Sequence, residues 1–405
     1  MATLDLSYID NLSTPLIERQ ERINTYVLTK IATRIKDIGM LLPSDLHSLE
    51  QLVRTGSDIQ QIEAYLAQQT AIEAAQIESM IDSVGAISYN QSLENFTARN
   101  LQTIPYSENT RVKQVAETIA KQTADTYRNI ANTTAFVKRD KITGQQVVTP
   151  VAKAYREIVD DAIQANANGL IDYNTVIRGA LEELMDSGLR RVDYPSGYTQ
   201  RLDTAVRRNI LDGVRAVNQG VQDEVGKQFG ADGVEIMVHA NSAPDHEPVQ
   251  GHQFTNEEFK KLQNGENFED LQKRKFIGFD RAIGMWNCRH FTFSIICGVT
   301  KPNYTDEQLE KFKEENQEGY TFPDGRHFTM YECTQHQRKL ELKVRRLKEK
   351  QIVTKTAGNI DLALQYQAQI KQIINEYGSF SQACGLKPRY DKMRVLGYKE
   401  IKQKV

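Results

Sequence analysis

Residues 14–40, TPLIERQERINTYVLTKIATRIKDIGM, decide the fold class. Ile23, Val27, Ile31, Ile35 and Ile38 recur every three or four positions, which gathers them on one stripe of an α-helix about 40 Å long. Thr14 is read as its cap, with Pro15 at the first helical position, where no N–H is missed, and Pro43 as its stop. The same period continues outward. A short helix is predicted around Leu46, Leu49, Leu52 and Val53, closed by Gly56. Ser57 and Gln60 then open a second long helix carrying Ile59, Ile62, Leu66, Ile72, Ile77 and Ile81 as far as Gly85. Further helices are expected over 107–133, 151–165, 173–185 and 198–229, with a turn or hairpin at Lys141-Ile142-Thr143-Gly144-Gln145.

The period changes beyond Gly230. Val234, Ile236 and Val238 alternate with Glu235, Met237 and His239, and Phe291, Phe293 and Ile295 alternate with Thr292, Ser294 and Ile296; both runs read as strands. Helices resume with a Thr305-Asp306 cap, then over 330–353, where Leu340, Val344 and Leu347 mark the apolar side, and again through Leu362, Tyr366, Ile370, Ile373 and Ile374 after a break at Gly358. The fold class expected is mainly α with a small α+β unit. Three regions follow from the composition: a helical part over 1–230 suited to docking, a compact α/β unit over 231–300, and a basic helical part over 301–405.

Composition narrows the function. The 405 residues are 40% hydrophobic and 26% charged, with a mean hydropathy of −0.54, as suits long helices with narrow apolar stripes. A net charge of −2 gives no whole-molecule attraction to nucleic acid, so DNA contact needs a local patch. Arg338, Lys343, Arg345, Arg346 and Lys348 supply one on the helix after Met330, although a basic run is more often a solvated helix face. Cys288, Cys297, Cys333 and Cys384 lack the dense spacing of a disulfide scaffold and are expected as free thiols in a reducing compartment. The start, Met1-Ala2-Thr3-Leu4-Asp5-Leu6, has no signal-peptide pattern, and no stretch is apolar for long enough to cross a bilayer; synthesis and folding in cytoplasm are expected.

Most chemistry-bearing residues lie between the two predicted strands, in Ser242-Ala243-Pro244-Asp245-His246-Glu247-Pro248-Val249-Gln250-Gly251-His252 and in Gly284-Met285-Trp286-Asn287-Cys288-Arg289-His290. Cys288 and His290, two apart at a strand entrance, face one side, and His246 and His252 could join them from the opposite loop. That donor set would suit zinc, yet it lacks the paired spacing of zinc signatures, so the first expectation is that no cofactor is bound. A thiol nucleophile would require Cys288 to be activated by a His oriented through Asp245, and residue types alone provide no such activation. The plainer reading is that Asn287, Arg289 and His290 staple the loop through hydrogen bonds. No phosphate-cradling loop, nucleophile elbow or HExxH sequence is present.

In this order the features resemble the phage minor capsid protein 2 family. The resemblance is carried by His246 with Gln250-Gly251, by Gly284 and Trp286-Asn287-Cys288-Arg289-His290, and by Tyr331, Gln335, Gln337-Arg338, Glu341, Arg345 and Lys348. Ala243 and Val249 depart from the Arg and the aromatic residue that the family pattern favours there. The resemblance extends loosely to Mu F-type head morphogenesis proteins. It implies a non-enzymatic structural component of the virion, present in several copies in the phage head and assembled in host cytoplasm. Its implied partners are the portal and other head proteins, with packaged DNA a further one. The alternatives are a virion-carried metal-dependent hydrolase or toxin-like enzyme in the α/β unit, or a DNA-binding head protein. The two strands are expected side by side, with 287–290 against the His246 loop.

Overall fold

A computed structural model describes residues 6–402 except 42–44, 47, 98–102, 141–142, 169–172, 194, 271, 284–287 and 289. In chain order, α1 spans Leu6–Gly39, α2 Leu49–Thr97 and α3 Thr110–Asn132. Strands β1 (Thr134–Arg139) and β2 (Gln146–Pro150) pair as a hairpin, followed by α4 (Val151–Asn168) and α5 (Tyr173–Ser187). Next come β3 (Arg190–Val192), β4 (Thr199–Arg201) and α6 (Leu202–Phe229). Then follow β5 (Gly233–Ile236), β6 (Gln253–Thr255), α7 (Asn256–Gln263), β7 (Phe268–Glu269), β8 (Lys275–Phe276) and β9 (Thr292–Ile295). The chain ends with α8 (Asp306–Glu318), the hairpin β10 (Tyr320–Thr321) and β11 (His327–Phe328), α9 (Met330–Thr356) and α10 (Ile360–Ala383). The protein is mainly helical with small antiparallel sheets, and no helix among the described residues is long and apolar enough to cross a membrane.

The residues fall into two compact units, each discontinuous in sequence. Unit 1 comprises Met1–Thr14, Ala74–Thr126 and Arg207–His336; unit 2 comprises Pro15–Glu73, Tyr127–Val206 and Gln337–Val405.

Within unit 1, α2, α3 and α6 approach closely at glycines. A Cβ on Gly85 would lie 2.8 Å from the Ala116 Cβ, one on Gly213 2.6 Å from the Thr123 side chain, and one on Gly220 2.7 Å from Val115. Gly85 was expected as a helix stop. Instead α2 runs straight through both Gly56 and Gly85. A mid-helix glycine costs only about 1 kcal/mol relative to alanine, and the buried Ile59, Ile62, Ile77 and Ile81 on either side outweigh that. The α/β part of unit 1 is a three-stranded sheet ordered β6-β5-β9, in which Gly233–Ile236 pairs antiparallel with Thr292–Ile295. The two strands read from the sequence therefore do lie side by side. Both faces of β5 are buried, including Glu235, whose carboxylate accepts hydrogen bonds from Gln253 Nε2 (2.8 Å) and Asn303 Nδ2 (2.7 Å). Ile236, Val249, Phe254, Leu262, Phe276, Phe279, Ile283 and Cys288 form the core beneath it.

Unit 2 differs from expectation in two respects. Helix α1, described over Leu6–Gly39, includes Thr14, which therefore does not cap it, and Pro15 lies inside it; Pro43, read as its stop, is outside the described residues. A four-stranded sheet ordered β2-β1-β3-β4 also interrupts a region expected to be almost wholly helical. Its strands β3 and β4 have three residues each, too short for a period-2 pattern to register. Toward the C-terminus, Leu340, Val344, Leu347, Tyr366, Ile370, Ile373, Tyr377 and Met393 build a second core between α9 and α10. Thr305 caps α8 through a box with Gln308, and Gly358, at φ +86°, ends α9, both as read from the sequence.

A buried histidine and cysteine cluster as the candidate functional site

The site forms where the β5–β6 connection folds over the entrance to β9. Ile236 N donates to the His252 carbonyl (3.2 Å), Gly251 N to the Ile236 carbonyl (2.7 Å) and Met237 N to the Phe291 carbonyl (2.8 Å), so the sheet pairings extend past both strand ends and close the intervening loop. Inside the loop, His246 and Glu247 N both donate to the Ala243 carbonyl (3.0 Å each), and Gln250 N donates to the His246 carbonyl (3.2 Å). These tight turns aim His246 inward. Gly251 has φ +76°, and a Cβ there would sit 2.4 Å from Leu309 and 2.8 Å from Val238, so glycine is required twice over.

His246, Cys288 and His290 converge, and their ligand atoms lie within 4.8 Å of one another. They are 1%, 7% and 2% exposed, which places all three beneath the surface. The Cys288 Sγ is 3.5 Å from His246 Nδ1 and 3.6 Å from His290 Nδ1. The outer nitrogen of each ring is also held. His246 Nε2 faces the Arg281 carbonyl at 2.7 Å, and a carbonyl can only accept, so Nε2 carries the proton. His290 Nε2 faces Gln250 Oε1 at 3.4 Å, and the same oxygen accepts from His239 N at 3.2 Å, which identifies it as the amide oxygen and makes His290 Nε2 a donor too. Both Nδ1 atoms therefore face the sulfur.

Burial holds His290 well below the ordinary histidine pKa, and His239, His246 and Arg281 nearby add to the effect; the ring is neutral at pH 7. For His246, burial pulls the pKa down, but the hydrogen bonds to Cys288 and to the Arg281 carbonyl outweigh it and the net shift is upward. Asp245 grips the Arg281 guanidinium through two 3.0 Å bonds, which fixes the carbonyl that His246 uses. A cavity of about 340 Å³ borders the cluster at His290, bounded also by Ala216, Phe259, Ile283 and Phe291.

Of the residues singled out in the sequence, His246, Gln250, Gly251, Cys288 and His290 come together here. His252 does not join the donors. Its Nδ1 faces the Arg274 guanidinium at 3.0 Å and its ring packs against Phe276, so burial and that cation both lower its pKa. Trp286, Asn287 and Arg289 lie outside the described residues, so the predicted stapling by Asn287 and Arg289 does too. The sequence reading missed His239, whose ring lies tilted against that of His290 with centroids 4.2 Å apart, and Arg281, which is 35 positions from its partner His246 and leaves no local pattern to find.

The basic helix is partly committed within unit 2. Arg345 pairs with Glu21, and burial brings its pKa down to about 10; Lys348 donates to the Met393 carbonyl (2.8 Å) and lies over the Tyr398 ring. Lys343 and Arg346 are exposed, and Arg338 is half-buried. None of the four cysteines, all among the described residues, is in a disulfide.

A family model described as phage minor capsid protein 2 matches residues 4–380. Neither the curated proteins nor the solved structures contain a match.

Proposed function

Because the chain belongs to the phage minor capsid protein 2 family, and so is a component of phage heads, we propose that it is a structural head protein that docks at the portal during head morphogenesis. The observation that carries this is the extent of the family match, which takes in residues of both compact units, so the head role attaches to the whole chain and not to one appended part. With a net charge of −2, attraction to packaged DNA is weak, and the commitment of Arg345 and Lys348 to internal partners weakens it further; contacts with other head proteins are favoured. What supports a non-catalytic reading of the α/β part is the enclosure of Cys288, whose sulfur sits between two imidazoles and is closed to an incoming carbonyl.

The test is co-expression with the portal protein of the same phage. Co-sedimentation of the two in one particle is the expected result, weakened by aspartate at the exposed Val53 and Ile72, whose substitution leaves the core untouched. If the wild-type chain and the portal sediment apart, with both folded, the portal reading is lost.

A further inference from the structure

We propose that His246, Cys288 and His290 bind one zinc ion, which ties the loop after β5 to the entrance of β9. The first support is convergence. Both Nε2 atoms are committed outward, to the Arg281 carbonyl and to Gln250 Oε1, so the two Nδ1 atoms face the Cys288 sulfur, and all three donor residues are buried. A cation among them serves all three donors.

The second support is the geometry. With Zn–S near 2.3 Å and Zn–N near 2.0–2.1 Å, a tetrahedral ion sets each S···N edge at about 3.6 Å. The two S···N edges in the structure are 3.5 and 3.6 Å, and the three donor atoms lie within 4.8 Å of one another, so the two imidazoles draw closer together on the ion. An S–H···N bond falls in the same range, so the edges acquire weight from the outward commitment of both Nε2 atoms.

The third support lies outside the donor set. Metal-binding histidines characteristically give their other ring N–H to a carbonyl or carboxylate, which fixes the tautomer and aims the lone pair. Here Arg281 O and Gln250 Oε1 do that work, and each is itself held, by Asp245 on the Arg281 side chain and by the His239 N–H. His290 also lines the neighbouring cavity, which gives the ion a way in. Two neutral imidazoles and a thiolate are a borderline-soft set that selects zinc over magnesium or calcium. Binding displaces the Cys288 proton to solvent, one per ion, and leaves a fourth corner for water.

The experiment uses the full chain purified with and without added zinc. One zinc per chain by elemental analysis is expected, and X-ray absorption of the zinc-loaded wild type should require one sulfur at about 2.3 Å and nitrogen or oxygen at about 2.0–2.1 Å. Cobalt(II) should give the intense d–d bands of a four-coordinate ion with a sulfur charge-transfer band. Cys288→Ser should abolish that band, while Cys297→Ser and Cys384→Ser keep it. Gln250→Leu, which touches no donor atom, should weaken zinc binding roughly 10–100-fold. The wild-type absorption spectrum decides alone, whether or not the Cys288→Ser loop folds. No zinc taken up by folded wild type, or a zinc shell without sulfur, overturns the proposal.

Discussion

Glu73 gives unit 2 a pH dependence whose sign is opposite to that of a typical surface carboxylate. It is fully buried, with Oε2 accepting from Gln20 Nε2 and from the Tyr127 hydroxyl, and with Arg19 Nε 3.7 Å from Oε1. Burial raises its pKa from 4.5 to about 7, against the lowering effects of Tyr127, Arg19, Arg22 and Gln20. Between those two values the folded state holds a proton that the unfolded state has released, so stability is greatest below pH 4.5 and falls as pH rises through 7. At about 1.4 kcal/mol per pKa unit, this single group removes on the order of 3 kcal/mol across the window. Glu73→Gln keeps an acceptor oxygen for Gln20 and Tyr127 and cannot ionise. The measurement is urea unfolding, followed by helical circular dichroism, of both proteins from pH 4.5 to 8. Subtracting the two curves cancels every other titrating group, including Glu341 and Glu349, whose burial also raises them. The wild type should lose about 3 kcal/mol relative to the variant over the window and run parallel to it above pH 7.5. Parallel curves throughout would refute the assignment of a buried, protonated carboxyl.

Two further outcomes follow from the same kind of reasoning. Glu349→Ala strips a buried carboxylate from Arg201 (3.4 Å) and from Asn24, whose Oδ1 also accepts from Leu189 N (2.7 Å), and should cost about 3–5 kcal/mol in denaturant unfolding; a loss below about 1 kcal/mol would mean the network is not formed. Gly251→Ala forces a Cβ against Leu309 and Val238 at positive φ and should cost about 1–3 kcal/mol, seen as a lower melting temperature, whereas Gly197→Ala, also at positive φ but with open space around it, should cost less.

What the sequence made legible depended on element length. Helices with an apolar stripe over several turns, such as α1, α3 and α10, were visible because their period repeats many times. Glycine misled in α2, since the same residue type that ends a helix also permits close helix approach, and the sequence does not distinguish the two. Three-residue strands left no period at all. At the site, Cys288 and His290 were legible as a pair because i and i+2 share a face of extended chain, and His246 because its loop precedes them. Arg281 was invisible, because its contribution to His246 is a backbone oxygen that any residue type supplies.

Buried polarity also serves that same site. Polar side chains are buried in both cores, and those of α6 do a specific job. Gln222 Oε1 accepts from Ser92 Oγ (3.0 Å) and from Ser294 N (3.1 Å), Ser294 Oγ donates to the Gln222 carbonyl (2.8 Å), and Asn218 Nδ2 reaches the Thr292 carbonyl (3.4 Å). Apolar contact alone would let β9 slide along the helix at little cost, because hydrophobic burial is non-directional. A hydrogen bond left unmade in that interior costs on the order of 1–3 kcal/mol, so the α6 amides fix the register of β9 residue by residue. His290 stands two positions before Thr292, and Cys288 two before that. The alignment of the sulfur with the two imidazoles is thus inherited from polar groups on a helix that contributes no donor of its own, and a sequence poorer in buried amides would keep the helices but lose the convergence.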